Sequence, residues 1–549
     1  MAGGLFNIVS RGSNNVIIHG NPGDNVKSLF RVVYSKITNF GLQKFRIDFD
    51  GLRDLRLTEP SKFTFKIPRY AELLMDTYLV LNLPNIYSPI YHPCTETGNV
   101  WSPYEFKWID DLGANLISEI TITCGNHLLQ RYSGAYLSAM VSRDFNTEKK
   151  KLFDNMSGNT PELNDPANAF GRVNMYPSAF YNASATGAEP SIRGRQLFIP
   201  INTWFTLDSR CAFPLIALQY NEMHINVTLR PVQELFRVRD VFDPTNGFPY
   251  VQPDFNSSQF QMYRFLQTPP NVDMGMTSYL DKTISWNADI HLISTYCFLD
   301  EDERQAFARD SQIYLIKDVY EYNFQNISGS AKLKLTSTGM ISNWMWFLQR
   351  NDANLRNEWS NYTNWPYKNL PGNIEFAPET NPMTSGYGPA TNLDGTPTGL
   401  FVTGVFNPDN RKEILETMGI LFNGDYKENV QLRGVYDYIE KYVRTQGNAK
   451  EGLYCYNFCL NTSPYEYQPT GAINMTKFKD IYLEMTTFVP AIDGTNSNYS
   501  IICDGLGNVL GVNKQNWRLY EYTYNLTLFE ERYNILSFIG GNCGMMYAR

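Results

Sequence analysis

The stretch 195-RQLFIPINTWFTLDSRCAFPLIALQYNEMHINVTLR-230 carries the reading of the fold. Near its end Met223, Ile225, Val227 and Leu229 fall on one face, and Glu222, His224, Asn226, Thr228 and Arg230 on the other. That two-residue period belongs to a half-buried β-strand. Pro214, just ahead of the apolar run Leu215 to Leu218, argues against a long helix and for a strand or tight connection back into a sheet. No side chain in the stretch is an obvious nucleophile, base or metal ligand.

The same texture extends in both directions. Phe63, Phe65 and Ile67 alternate with Thr64 and Lys66, and Leu79, Leu81 and Leu83 continue the pattern until Pro84 stops it. Ile120, Ile122 and Cys124 share a face, and Gly125-Asn126 supplies a two-residue hairpin turn. Residues 133–156, with Ala, Leu, Met and Lys149-Lys150-Lys151, read as a helix on the sheet edge. Further strands are expected within 452–461, 481–488 and 517–529. Asp300 to Glu303 precede Arg304 and Phe307, so a short helix with acids in its first turn fits there.

A chain of 549 residues is too long for one core. With 36 Tyr, 34 Phe, 38 Gly and 29 Pro and only 19% charged residues, it belongs to the all-β class of short strands joined by turns. We divide it into an N-terminal arm (1–27), a first strand-rich block (28–232), a Pro-rich linker (233–280) and a second block (281–549). Within the second block, 350–430 reads as a long exposed loop because its first part is dense in Asn, Gly, Pro and Thr. The net charge of −8 offers no footprint for phosphates, so direct nucleic-acid binding is not expected. Eight dispersed cysteines read as reduced thiols. The opening MAGGLFNIVSRGSNN lacks an apolar signal core, and Ala2 removes the glycine needed for myristoylation, so synthesis in the cytoplasm is expected.

Chemistry is sparse. His19, His92, His127, His224 and His291 stand far apart, with none in a metal-binding spacing. Cys455 and Cys459, on one extended strand, would lie about 13 Å apart, too far to share an ion or a disulfide. Asp110-Asp111 and the Asp300 to Glu303 run read as solvated caps rather than catalytic pairs. No GxSxG, P-loop or dinucleotide fingerprint is present. No catalytic residue, cofactor or metal is therefore expected, and the chain is read as a non-enzyme. Of the Asn-x-Ser/Thr triplets, Asn361 in the long loop is the candidate glycosylation site. Trp359, Tyr362, Trp365 and Tyr367 are candidate outer-surface contacts, and would form the stacking platform if the chain were instead a carbohydrate-binding β-sandwich.

Several stretches, taken in order, carry a resemblance. MAGGL and Gly20-Asn21-Pro22 lead into Phe30, Val32, Val33, Tyr34, Thr38, Asn39 and Phe40. Pro214 to Glu222, the set Phe298-Leu299-Asp300, Glu303-Arg304 and Phe307, 468-QPTGAIN-474, and 533-YNILSFIGGNCGMMYA-548 follow. Together they resemble the major capsid proteins of nucleocytoplasmic large double-stranded DNA viruses, the irido-, phycodna- and mimivirus-like group. Asn221 departs from the histidine of that signature, and the 350–430 segment is longer than the family pattern suggests.

The resemblance implies two consecutive eight-stranded antiparallel jelly rolls, a homotrimer forming a pseudo-hexagonal capsomer, and an icosahedral shell in the virion. It implies neighbouring capsomers, minor capsid proteins and an inner membrane layer as partners, with assembly in the host cytoplasm. A minor capsid or penton protein built on one jelly roll is disfavoured by the two complete blocks.

Overall fold

The computed structural model describes residues 29–49, 51, 54–91, 102–177, 179, 189–241, 250–269, 279–364, 388–391, 397–402, 412–466, 468–489, 499–503, 509–514 and 522–547. Sixteen strands build two sandwiches. In the first, β1 (Phe40–Ile47), β8 (His291–Leu299), β3 (Leu73–Asn82) and β6 (Gln196–Pro200) form one sheet in that order. The facing sheet has the order β2 (Ser61–Lys66), β7 (Met223–Leu229), β4 (Ile117–Cys124) and β5 (His127–Tyr132).

The second sandwich repeats this order strand for strand. One sheet runs β9 (Gln312–Ile327), β16 (Tyr524–Ile539), β11 (Met340–Arg350), β14 (Leu453–Asn457). The other runs β10 (Ser330–Leu335), β15 (Ile481–Thr487), β12 (Leu415–Phe422), β13 (Asp425–Leu432). The order 1-8-3-6 over 2-7-4-5 is a jelly roll, so the chain is a double jelly roll and carries an internal duplication that its letters conceal.

The alternation read from the sequence sets each strand's face. In β7 Met223, Ile225, Val227 and Leu229 are buried while His224, Asn226 and Thr228 are half-buried. Ile225 lies between Phe65 of β2 and Ile122 of β4. The expected helical stretch forms two helices, α1 (Gly134–Asp144) and α2 (Thr147–Ser157), capped by the Ser133 and Asn146 side chains. The acidic run opens α3 (Glu301–Arg309), with Asp300 at its N-cap.

Two boundaries move. The stretch 223–229 does not end the first jelly roll; it is the seventh strand, and the eighth is β8, antiparallel to both β1 and β3. The second unit therefore begins after Leu299 rather than at 281. The expected linker 233–280 is an excursion between strands seven and eight, and part of it pairs Phe236–Arg239 with Phe106–Trp108. Alternation at 290–292 announces a strand but not the sheet that it joins, because that choice rests on contacts some 250 residues away. The arm 1–27 lies outside the described residues.

Candidate functional site: the seam and the open edges

In the sheet β9-β16-β11-β14 the three strands β16, β11 and β14 are largely buried on both faces. Along β11, Trp344, Trp346 and Leu348 enter the core of the second sandwich, while Met345 and Phe347 enter the core shared with the first. Successive side chains of a strand point to opposite faces, so one strand serves two cores. From the first roll, Tyr136 of α1 meets Phe529 edge-on at 5.5 Å, and Phe213 meets Phe538 at 5.2 Å.

A buried charge network is set into this seam. Arg143, at the end of α1, donates to Asp144 (2.9 and 2.7 Å), to Asn343 Oδ1 (2.6 Å) and to Glu531 Oε1 (2.7 Å). Glu531 also accepts from Tyr136 (3.0 Å) and Asn343 (2.8 Å). Thr462 donates to Asp144 at 2.6 Å. Burial alone would raise the Glu531 carboxyl, but Arg143, Lys317 and the Asn343 amide outweigh it and hold it at about 2. Asp144 goes the other way, pushed up by burial despite Arg143, with Glu531's own charge adding to the rise. Glu531 is thus the more acidic of the two carboxylates that face the guanidinium.

A second hub is centred on Asp111, which sequence reading placed on a solvated cap. It is buried, and it accepts from Ser360 (2.8 Å), Asn159 (2.7 Å) and the Lys450 ammonium. Burial would raise its carboxyl, yet the Lys450 charge and these donors hold it below the usual carboxylate range. Its left-handed backbone (φ 50°) turns the side chain into the seam just before the short helix Leu112–Leu116. Nothing in the Asp-Asp pair itself signals this, since Lys450 lies 339 positions away.

The start of the expected exposed loop belongs to the same seam, which corrects three candidate residues. Asn361 is 8% exposed; its amide donates to Glu358 and its carbonyl oxygen accepts from Thr363, so it is not an accessible glycan acceptor. Tyr362 is buried, stacked on Phe347 at 4.1 Å. Trp359 is half-buried: its Nε1–H donates to Glu234 O (3.1 Å) and the Arg230 guanidinium lies 3.8 Å over its ring. Asn357 donates to the carbonyls of Gln233 and Phe236, both at 2.8 Å. The polar composition that reads as a solvated loop is consumed by backbone acceptors of the first roll's excursion. Trp365 and Tyr367 lie outside the described residues. Trp359→Ala should cost about 3 kcal/mol through lost packing and the cation–π contact; an unchanged thermal midpoint would contradict this placement.

The duplication makes the two rolls comparable edge by edge. Within the chain β5 of the first roll lies alongside β9 of the second, joined by Gln130 Nε2–H donating to Lys317 O at 3.3 Å. The equivalent strands on the free ends are exposed: β13, with Tyr426, Val430 and Leu432, and β1, with Phe40 and Leu42. The helical excursion after β5 is likewise buried against the second roll through Tyr136 and Arg143. Its counterpart after β13, residues 435–444, presents Tyr438, Ile439, Tyr442 and Val443 to solvent. Among the described residues no helix is long and apolar enough to cross a membrane. No cluster of three or more His, Cys, Asp or Glu among them could hold a metal ion.

Comparison with known proteins agrees with this architecture. Residues 28–266 match the family model described as the major capsid protein N-terminus, and residues 303–544 match that of the large eukaryotic DNA virus major capsid protein. The major capsid protein of Phaeocystis pouchetii virus is 24% identical over 93% of this chain and 99% of its own length. That of Pyramimonas orientalis virus is 21% identical over the same shares. Among solved structures, the PBCV-1 VP54 capsid protein superposes with a TM-score of 0.59 at 17% identity, covering 95% of this chain and all of its own. The Faustovirus major capsid protein does so at 0.59 and 12%, covering 97% of this chain and 98% of its own. With both halves matched in order and the duplicated jelly roll in place, the chain belongs to the major capsid proteins of the large eukaryotic DNA viruses.

Proposed function

We propose that three copies of this chain close into a pseudo-hexagonal capsomer that tiles an icosahedral shell. The observation that carries this reading is the repetition of one strand order in both rolls together with the exposure, at the free ends, of the surfaces that the seam buries. If β13 and the 435–444 excursion of one copy meet the β1 sheet of the next as β5 and α1 meet the β9-β16-β11 sheet, each copy adds two near-equivalent corners. Three copies then close a six-cornered ring with no unpaired end. A heterologous contact that did not close would give open filaments instead.

The protein acts through contacts rather than catalysis on this reading, and its place is the virion. Leu29, Phe30, Val32, Val33, Tyr34 and Ile37 are almost fully solvent-exposed in the single chain. So apolar a segment ahead of β1 supports a role in tying capsomers to neighbours, to minor capsid proteins or to an inner membrane layer. Assembly in the host cytoplasm is part of the same reading. The carbohydrate-platform alternative loses two of its four aromatics, since Trp359 and Tyr362 are committed to the seam.

Native mass measurement tests the trimer. Three chains of 63.1 kDa should give a species of about 189 kDa, and Leu432→Glu should shift it toward monomer by placing a charge on the open edge. A wild-type chain that stays monomeric at high concentration would overturn the reading.

A further inference from the structure

Cys124 closes β4 of the first roll, and Cys543 sits in the short strand Asn542–Met545, which folds back on the tail of β16. Both are buried in the same apolar core, at the point where the two rolls meet. The backbone specifies this docking. Gly541 O accepts from the N–H groups of Gln219 (2.9 Å) and Tyr220 (3.3 Å), while the Gly125 N–H donates to Glu222 O (2.8 Å).

Loop 219–222 therefore grips both turns. Gly125 and Gly541 have positive φ, and a Cβ on either would stand 2.8 Å from Asn221 Oδ1 or 2.9 Å from Gln219 Cβ. Held in this way, the two thiols lie across the seam from each other, near enough for each to shift the other's titration. The S–H of Cys543 supports the thiolate of Cys124, which lies below the usual thiol range despite burial, with Arg69 contributing. The Cys543 thiol is correspondingly pushed up. Cys455, by contrast, is pushed up to about 12 by burial.

We propose that Cys124 and Cys543 form a disulfide that staples the first jelly roll to the closing hairpin of the second, by exchange with a small-molecule disulfide such as oxidised glutathione. The Cys124 thiolate attacks one glutathione sulfur, forming a mixed disulfide and releasing a glutathione thiolate. That thiolate takes the proton of Cys543, whose sulfur then attacks Cys124 Sγ and displaces the second glutathione. Two protein thiols lose two electrons and two protons, and oxidised glutathione gains them. Access comes from fraying: the strand 542–545 is paired on one side only, and Met546 and Tyr547 are 64% and 59% exposed. Once the hairpin closes, the bond is shielded from reductant, and the loop it makes takes in the later strands of the first sandwich and all of the second.

The test treats the whole chain with oxidised glutathione or with dithiothreitol, then unfolds it in an alkylating reagent and maps its peptides. The expected result is a joined Cys124–Cys543 peptide pair and a higher thermal midpoint after oxidation, both absent in Cys124→Ser and Cys543→Ser. Free alkylation of both thiols after oxidation, separate glutathione adducts alone, or pairing with other cysteines would overturn the proposal. Should the serine variants fail to fold, the wild-type map decides by itself. The bond lies within one chain, so its formation is independent of the trimer test.

Discussion

Ile225→Asp is expected to abolish folding, leaving the chain in the insoluble fraction with no species of trimer mass. Ile225 is completely buried at the centre of β7, flanked by Phe65 and Ile122. A carboxylate there would be set among apolar neighbours, so it must remain unpaired or bind a proton, and either choice costs several kcal/mol. Removing the isoleucine's packing costs about 2–5 kcal/mol more. The sum rivals the whole stability of a typical domain, about 5–15 kcal/mol. His224→Ala, one residue away on the half-buried face, should by contrast keep the trimer. A soluble Ile225→Asp trimer would show that the alternation does not define the core.

Arg143→Ala should be nearly as damaging, at about 3–5 kcal/mol, because it strands two carboxylates that its guanidinium neutralises inside the seam. The effect should appear as early loss of contact between the rolls, read by limited proteolysis between residues 299 and 312. Glu531 gives this network a pH signature. Its folded carboxyl is depressed from 4.5 to about 2, so its contribution is present above the ordinary value and is lost as pH falls from about 4.5 through 2. The shift corresponds to ~3 kcal/mol. Asp144, shifted upward, works in the opposite sense, so the informative quantity is the difference between wild type and Glu531→Gln. The variant's thermal midpoint should fall less steeply with acid over that window. Equal acid slopes would mean that Glu531 does not carry the acid sensitivity of the network.

Much of the candidate site was illegible because its partners are distant in sequence. Asp111 finds Lys450, Arg143 finds Glu531, and Trp359 finds Glu234 and Arg230. Each group alone carries the composition of a cap, a helix end or a solvated loop. Local patterning reports whether a residue is half-buried; it cannot report that the polar half faces another sandwich. The same holds for β11, whose nearly unbroken buried run feeds two cores.

By itself the sequence determined the all-β class, the core phase of strands such as β2, β4 and β7, the hairpin at Gly125-Asn126, the helical character of 133–156, the acid-led helix after Asp300, and the family through its ordered motifs. These follow from local physics, because side-chain alternation, turn dihedrals and capping bonds involve residues only a few positions apart. The tertiary structure alone decided that β8 completes the first roll, that 350–364 is seam rather than exposed loop, and that Cys124 and Cys543 share one core. Those outcomes depend on which distant surfaces can bury one another while every enclosed polar group finds a partner, and no short window of residues contains both sides of that choice.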